Sequence, residues 1–235
     1  MIAVFVNMAT GIAGSLIGIL LRNRLKEELQ NALLKALGLC TALIGMQSAL
    51  GTQALLCVIL CMALGTALGE LMHIDDAIEH AGDFVKEKLL RGKVTNSRFT
   101  EGFVSACILF CIGSMTIVGS LEAGINRNYS IIYAKSTLDF VSSMAFGAAM
   151  GLGVTCSAVF ILLFQGGLTL LAGWLGPALG AEVVTEMSAV GGVILLGMAA
   201  NMLSLGRERI RVANMLPAIF LPLAVLPIVH WIESL

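Results

Sequence analysis

Charged side chains are scarce in this sequence, because Asp, Glu, Lys and Arg together make up only 12% of its 235 residues. A soluble domain carries roughly 25% charged residues, so this chain has too few of them to cover the surface of a water-soluble globule. Hydrophobic residues account for 58% of the chain, and its mean hydropathy is +0.95. We therefore predict an integral membrane protein embedded in a lipid bilayer.

The sequence also lacks the marks of several functional classes. Its net charge of −1 argues against a nucleic-acid-binding protein, which needs a basic face. The histidines His73, His80 and His230 are scattered, and no nucleophile–base pair, HExxH motif, P-loop or dinucleotide fingerprint is present. No cysteine lies in a soluble loop, so no disulfide framework is indicated. We expect no enzyme activity, no cofactor and no metal beyond a transported Na⁺.

Long apolar stretches dominate the chain, and several reach the ~20 residues that a helix needs to cross the hydrocarbon core. They predict an all-α, polytopic transmembrane bundle forming a single domain over residues 1–235. The short fifth stretch is followed almost at once by the sixth, so it can also be a broken or re-entrant helix. The N-terminus has no signal-peptide cleavage pattern and leads directly into the first span. We predict about eight spans, namely Ile2–Leu21, Leu33–Leu50, Ala54–Met72, Phe103–Leu121, Leu138–Leu152, Thr155–Leu175, Met187–Leu205 and Ala213–Ile232.

Basic residues cluster in the loops after the first, third and seventh spans, which share one side of an eight-span protein. By the positive-inside rule these loops are cytoplasmic, so both termini are predicted to be periplasmic. The loop over residues 73–99 is the longest, and apolar residues recur at helical spacing over residues 74–89. This pattern predicts an amphipathic cytoplasmic helix.

A weak internal repeat links the two ends of the chain. The run LIGM at residues 43–46 matches LLGM at residues 195–198, in spans of opposite predicted direction. Spans one to three and six to eight would then form an inverted repeat, which is typical of transporters. Chance identity in Gly- and Leu-rich helices explains the match equally well.

The residues richest in functional meaning are polar ones inside the apolar stretches, since burying them in lipid costs free energy. Lys135 and Asp139 are spaced i, i+4 and can pair on one helix face. Ser136 and Ser143 would place hydroxyls in the same stripe as the carboxylate, a ligand set suited to a small cation or a proton. The alternative is that the pair lies at a helix end and reaches into the solvated interface.

Further polar side chains lie in other spans. Amide and hydroxyl groups can bind a cation or can hydrogen bond helices together, and both interpretations stay open for Asn7, Ser114, Gln165 and Asn201. Glu186 is predicted to open the seventh span, where a carboxylate complements the helix dipole. Prolines in the eighth span should kink it, namely Pro217, Pro222 and Pro227.

Several runs of this chain resemble the DUF554 (YqgA-like) family of bacterial membrane proteins. They are FVSACILFCIGSMTIVGSLEAG, YAKSTLDFVSS, FQGGLTLLA, EMSAVGGVILLGMAANML and VANMLPA. The resemblance covers nearly the whole chain and implies a multi-pass protein of the bacterial inner membrane, one sometimes labelled a sodium channel or pump. The family supplies no proven site residues to carry over.

Two functions are compatible with these observations. The first is an ion channel or secondary transporter for Na⁺ or H⁺, with Asp139 as charged ligand or proton carrier and Lys135 as its counter-charge. Ser136, Ser143, Gln165 and Asn201 would then supply neutral ligands. The alternative is a non-transporting assembly or signalling protein whose polar residues only hold helices together. Small-residue helix faces permit a homo-oligomer in either case.

Overall fold

The computed structural model describes residues 1–22, 26–77, 80, 99–111, 114–175 and 179–233. These residues form helices joined by short connections, as the all-α prediction required. The helices are α1 (Ile2–Arg22), α2 (Glu27–Ala49), α3 (Leu55–Met72), α4 (Phe99–Cys111), α5 (Ser114–Ile125), α6 (Ser130–Met150), α7 (Leu152–Leu175), α8 (Ala181–Leu203), the 3-10 helix Val212–Phe220, and α9 (Pro222–Glu233).

The helices have the dimensions of membrane spans. Within the described residues, five are long and apolar enough to cross a bilayer, or up to seven if each of two bent pairs forms one span. These pairs are α4 with α5, and the 3-10 helix with α9, each bent by 58°. The remaining element of spanning length is α6, whose 21 residues would rise about 31 Å. Counting α6 as a span would raise the total from seven to the eight that the sequence predicted.

Glycine permits the closest helix contacts, because a side chain at these positions would overlap the partner's backbone. In α1, Gly14 faces the backbone of Phe140 and Gly18 faces that of Met144, both in α6. Since the residue numbers increase together along the two helices, α1 and α6 run parallel. Two spans that run in the same direction require the chain between them to cross the membrane an odd number of times. The segment between the first and fifth spans must therefore make an odd number of crossings.

The bent pair α4–α5 supplies one of those crossings. Gly153, near the start of α7, meets the backbone of Phe99 at the start of α4, while Gly124, near the end of α5, meets the backbone of Thr169 late in α7. The pair therefore follows α7 over most of its length instead of returning to the side where it began. Its break makes it a broken span.

Two further pairs bring together elements that the predicted repeat relates. Gly45 of α2 packs against Gly192 of α8, and Gly65 of α3 packs against Ala218 of the 3-10 helix. Packing of equivalent elements against one another is what a two-fold axis in the membrane plane produces. The repeat itself stays a prediction.

The structure shows the fifth span to be longer than predicted. It was predicted as Leu138–Leu152, with a broken or re-entrant helix as an open alternative, and it is the continuous helix Ser130–Met150. It is separated from α7 at Gly151, which has a φ of +83° that favours glycine. The kink in the eighth span is confirmed, with Pro217 inside the 3-10 helix and Pro222 at the start of α9. Most of the predicted amphipathic helix over residues 74–89 lies outside the described residues.

Candidate functional site

The centre of the candidate site is an ion pair between Lys135 and Asp139 on α6. Both residues are buried, with 6% and 8% of their surface exposed. Asp139 is the tenth residue of its helix, which places it about 14 Å from the helix start and near the middle of a ~30 Å hydrocarbon core. The pair is buried and lies away from the helix end that the interfacial alternative assumed, because the helix begins eight residues earlier than predicted.

Two amides adjoin the ion pair. The Asn7 side chain of α1 donates a hydrogen bond from Nδ2 to Oε1 of Gln165 in α7, at 3.0 Å, and it lies close to the Asp139 carboxyl group. Both amide residues are fully buried. Asn7 Oδ1 and Gln165 Nε2 have no hydrogen-bond partner in the structure. We call Asn7, Lys135, Asp139 and Gln165 the polar cluster, which joins α1, α6 and α7.

The end of α4 closes one side of this cluster. The Lys135 Nζ atom lies 6.0 Å from the centroid of the Phe110 ring, at the limit of a cation–π contact. The Thr116 hydroxyl of α5 donates to the Phe110 carbonyl at 3.2 Å. This bond satisfies a backbone group that the break between α4 and α5 would otherwise leave unpaired in an apolar environment.

The ion pair also lines a cavity of about 530 Å³ between α2, α4, α5, α6 and α8. We call it the polar cavity. It extends from Gly51 in the α2–α3 turn and Thr185 near the start of α8 to the ion pair. Much of its wall is polar, and the described side chains that contribute hydroxyl, amide or charged groups are Gln47, Ser48, Thr116, Lys135, Asp139, Ser142, Thr185 and Ser188.

The serines predicted beside Asp139 do not line this cavity. Ser136 donates to the Ile132 carbonyl at 2.7 Å, and Ser143 donates to the Phe140 carbonyl at 3.0 Å. The α6 hydroxyl that shares the polar cavity with Asp139 is Ser142. The spacing of Lys135, Asp139 and Ser142, at i, i+4 and i+7, is itself a helical stripe and could have identified this serine.

Two other cavity residues were also missed from the sequence. Thr185 and Ser188 lie three residues apart on α8, and Ser188 Oγ has no hydrogen-bond partner in the structure. An i, i+3 pair of hydroxyls in the first half of an apolar helix was the available signal.

Glu186 lies beside the cavity and has a structural role. Its buried carboxylate accepts hydrogen bonds from the Thr52 hydroxyl at 2.6 Å, from the Gln53 amide at 2.7 Å and from the Ala54 amide at 3.2 Å. These donors precede α3, so the carboxylate caps a helix other than its own. The prediction that Glu186 opens its own span is wrong, since α8 begins at Ala181.

The remaining predicted site residues lie apart from the polar cluster. Asn201 donates to the Ile210 carbonyl at 2.8 Å and accepts from the Ile210 amide at 2.9 Å, which fixes the loop after α8. Ser114 is the first residue of α5, and its side chain lies outside what the structure describes. The described residues contain no group of three or more His, Cys, Asp or Glu that could hold a metal ion.

The sequence matches one protein family over nearly its whole length. A family model described as "Protein of unknown function (DUF554)" matches residues 2–227. The chain is similar to the uncharacterized membrane protein YdfK of Bacillus subtilis (strain 168), with 28% identity over 225 residues and 93% of each chain covered. It is also similar to the uncharacterized protein YqgA of Escherichia coli (strain K12), with 29% identity over 221 residues and 92% of each chain covered. No solved structure matches the chain.

Proposed function

This chain belongs to the DUF554 family, as its motifs indicated, and from that premise we propose that it is a channel or secondary transporter for a small monovalent cation, Na⁺ or H⁺. It is a multi-pass membrane protein. We further propose that it lies in the bacterial inner membrane with both termini periplasmic, as the distribution of basic residues favours.

The observation that carries the proposal is the buried ion pair at the end of the polar cavity. Removing two charges from water is costly, and a pair of apolar side chains of similar volume often serves stability equally well or better. Ionisable residues within membrane spans commonly mark ion pathways for this reason. Lys135 and Asp139 fit that pattern, because the polar cavity connects them to one end of the bundle.

The chemistry of the cluster suits a monovalent cation. With Lys135 beside it, Asp139 already has a counter-charge, so an entering cation must compete with the ammonium for the carboxylate. Carboxylate, amide and hydroxyl oxygens are ligands that hard cations prefer. We assign the neutral ligands to Ser142 and to Asn7 Oδ1, which lacks a partner in the structure. We do not assign ligand roles to Ser136, Ser143 and Asn201, because each hydrogen bonds to a backbone carbonyl.

The test is cation flux into proteoliposomes that contain the purified protein, measured with a Na⁺ gradient and separately with a pH gradient. We expect Asp139→Asn to abolish the flux, because the substitution removes the only charged oxygen ligand of the cluster. Glu28→Gln is the control for loss of one carboxylate charge, since Glu28 is exposed on α2 and does not line the polar cavity. Equal flux through wild type and Asp139→Asn, or none above empty vesicles under either gradient, contradicts the proposal.

The alternative of a non-transporting assembly or signalling protein is favoured by one group of observations. The side chains of Ser136, Ser143, Glu186 and Asn201 all hydrogen bond to groups that stabilise helices or loops. A purely structural protein predicts that Asp139→Asn lowers thermal stability while no ion flux depends on it.

A further inference from the structure

A second cavity lies on the opposite face of α4 from the polar cavity. It has a volume of about 390 Å³ and is lined almost entirely by apolar groups. Its described lining includes Phe103, Cys107 and Cys111 of α4, with Phe164 of α7 and Phe220 of the 3-10 helix. We call it the apolar cavity.

The two cavities approach opposite sides of the membrane. The polar cavity begins at the turn between α2 and α3, where Gly51 lies. The apolar cavity reaches Ala77, beyond the end of α3, and Phe103, near the start of α4. Because α3 separates Gly51 from Ala77 by a full membrane-spanning helix, these cavity ends belong to opposite faces of the bundle.

Residues of α4, α5 and α8 form the wall between the cavities, since neighbouring residues on each of these helices line different cavities. At the end of α4, Phe110 lines the polar cavity and the next residue, Cys111, lines the apolar cavity. The Phe110 side chain is almost completely buried, and its ring lies beside the Lys135 ammonium group. An aromatic ring between a polar and an apolar cavity is a hydrophobic constriction of the kind that gates ion pathways by excluding water.

We propose that the Phe110 side chain is the gate of the pathway, and that cations which reach Asp139 through the polar cavity leave through the apolar cavity when this ring moves. The inference rests on the proposed function, because it assigns the exit route of the same site. Apolar walls would keep the exit dry while the gate is closed.

Cys111 provides a native probe of this gate. A protein that retains Cys111, with the other five cysteines replaced by alanine, is reconstituted and treated with a cationic, membrane-impermeant thiol reagent. A separate protein whose single cysteine is Gln53→Cys identifies the vesicle face that bears the polar-cavity opening, since Gln53 is exposed in the α2–α3 turn. The measured quantity is the rate of Cys111 modification from that face.

We expect Phe110→Ala to raise this rate on the order of tenfold or more, because it joins the two cavities. Phe110→Leu should give an intermediate increase and serves as the readout if the alanine variant fails to elute as a folded protein. Phe103→Ala is the matched control, since Phe103 lines only the apolar cavity. An unchanged rate in the folded Phe110 variants, or a wild-type rate from that face as high as theirs, overturns the gate.

Labelling needs no ion gradient, so its result is separable from the flux result. Flux that depends on Asp139 together with labelling that is insensitive to Phe110 overturns the gate and leaves the proposed function standing. Labelling that depends on Phe110 without any flux supports Phe110 as the barrier between the cavities and overturns transport.

Discussion

Removal of the Lys135 charge should destabilise the protein strongly. Lys135→Met keeps a long side chain but leaves the Asp139 carboxylate buried without its counter-charge. Breaking a buried ion pair from one side costs about 3–5 kcal/mol. For a chain of this size each kcal/mol lowers the melting temperature by about 2–4 °C, so we expect a decrease of about 6–20 °C.

The assay is thermal unfolding of the purified protein in detergent, followed by the loss of helical circular dichroism. Lys35→Met is the matched control, because Lys35 is exposed on α2, and we expect its melting temperature to stay within about 2 °C of wild type. The double variant Lys135→Met/Asp139→Leu should recover most of the lost stability, since an apolar pair of similar volume leaves no charge unpaired.

This comparison separates stability from function. The double variant should melt near the wild-type temperature and yet carry no flux, because it has lost the charged ligand. A decrease of under about 2 °C for Lys135→Met would refute the reasoning, since an exposed pair contributes only ~0–1 kcal/mol. A double variant that transports like wild type would equally refute the assigned role of the pair.

Two further substitutions test the packing around the site. Glu186→Ala removes the acceptor for the α3 N-terminus and should lower the free energy of unfolding by about 2 kcal/mol. Glu28→Ala is the control, because Glu28 is exposed and its loss should leave the melting temperature unchanged. Equal melting temperatures for the two variants would contradict the capping role. Gly69→Leu should prevent α3 from packing against the backbone of Asn214 and give aggregated protein on size-exclusion chromatography. Gly173→Leu is the control and should not aggregate, because Gly173 faces open space. A monodisperse Gly69→Leu protein with the wild-type melting temperature would refute the close contact.

Hydropathy predicted the order of the apolar elements, since each of the eight predicted spans corresponds to a helix or a bent pair. The number was not confirmed, because the described residues contain five helices that are long and apolar enough to span, or up to seven with the bent pairs. Boundaries were less accurate where a helix carries polar residues. In α6, Lys135 and Asp139 lowered the local hydropathy, so the predicted span began at Leu138 although the helix begins at Ser130.

The break in the fourth span could not be predicted from local sequence. The run from Phe103 to Leu121 is mostly apolar, its hydroxyl residues are spread along it, and it contains no proline to mark an interruption. Its 58° bend is accommodated by tertiary contacts such as the Thr116–Phe110 hydrogen bond. The fifth span was considered as a broken helix because its apolar stretch is short, whereas α6 is continuous and its Gly147 permits close packing against Ser15 of α1.

The candidate site was partly predictable. Asn7, Lys135, Asp139 and Gln165 were chosen as buried polar residues, and the structure brings them together. The rotation of α6 about its axis decides which hydroxyl groups line the polar cavity beside Asp139. The spacing of polar residues in the sequence does not define that rotation. Ser142 lines the cavity while its neighbour Ser143 faces Gly14 of α1.

If Asp139 binds a cation in transit, the initial rate of Na⁺ or H⁺ entry into proteoliposomes depends on this residue. We expect measurable flux of at least one of these ions through wild type and Glu28→Gln, and flux at the level of empty vesicles through Asp139→Asn. Wild-type rates through a folded Asp139→Asn protein, or no flux through wild type with either ion, would contradict it.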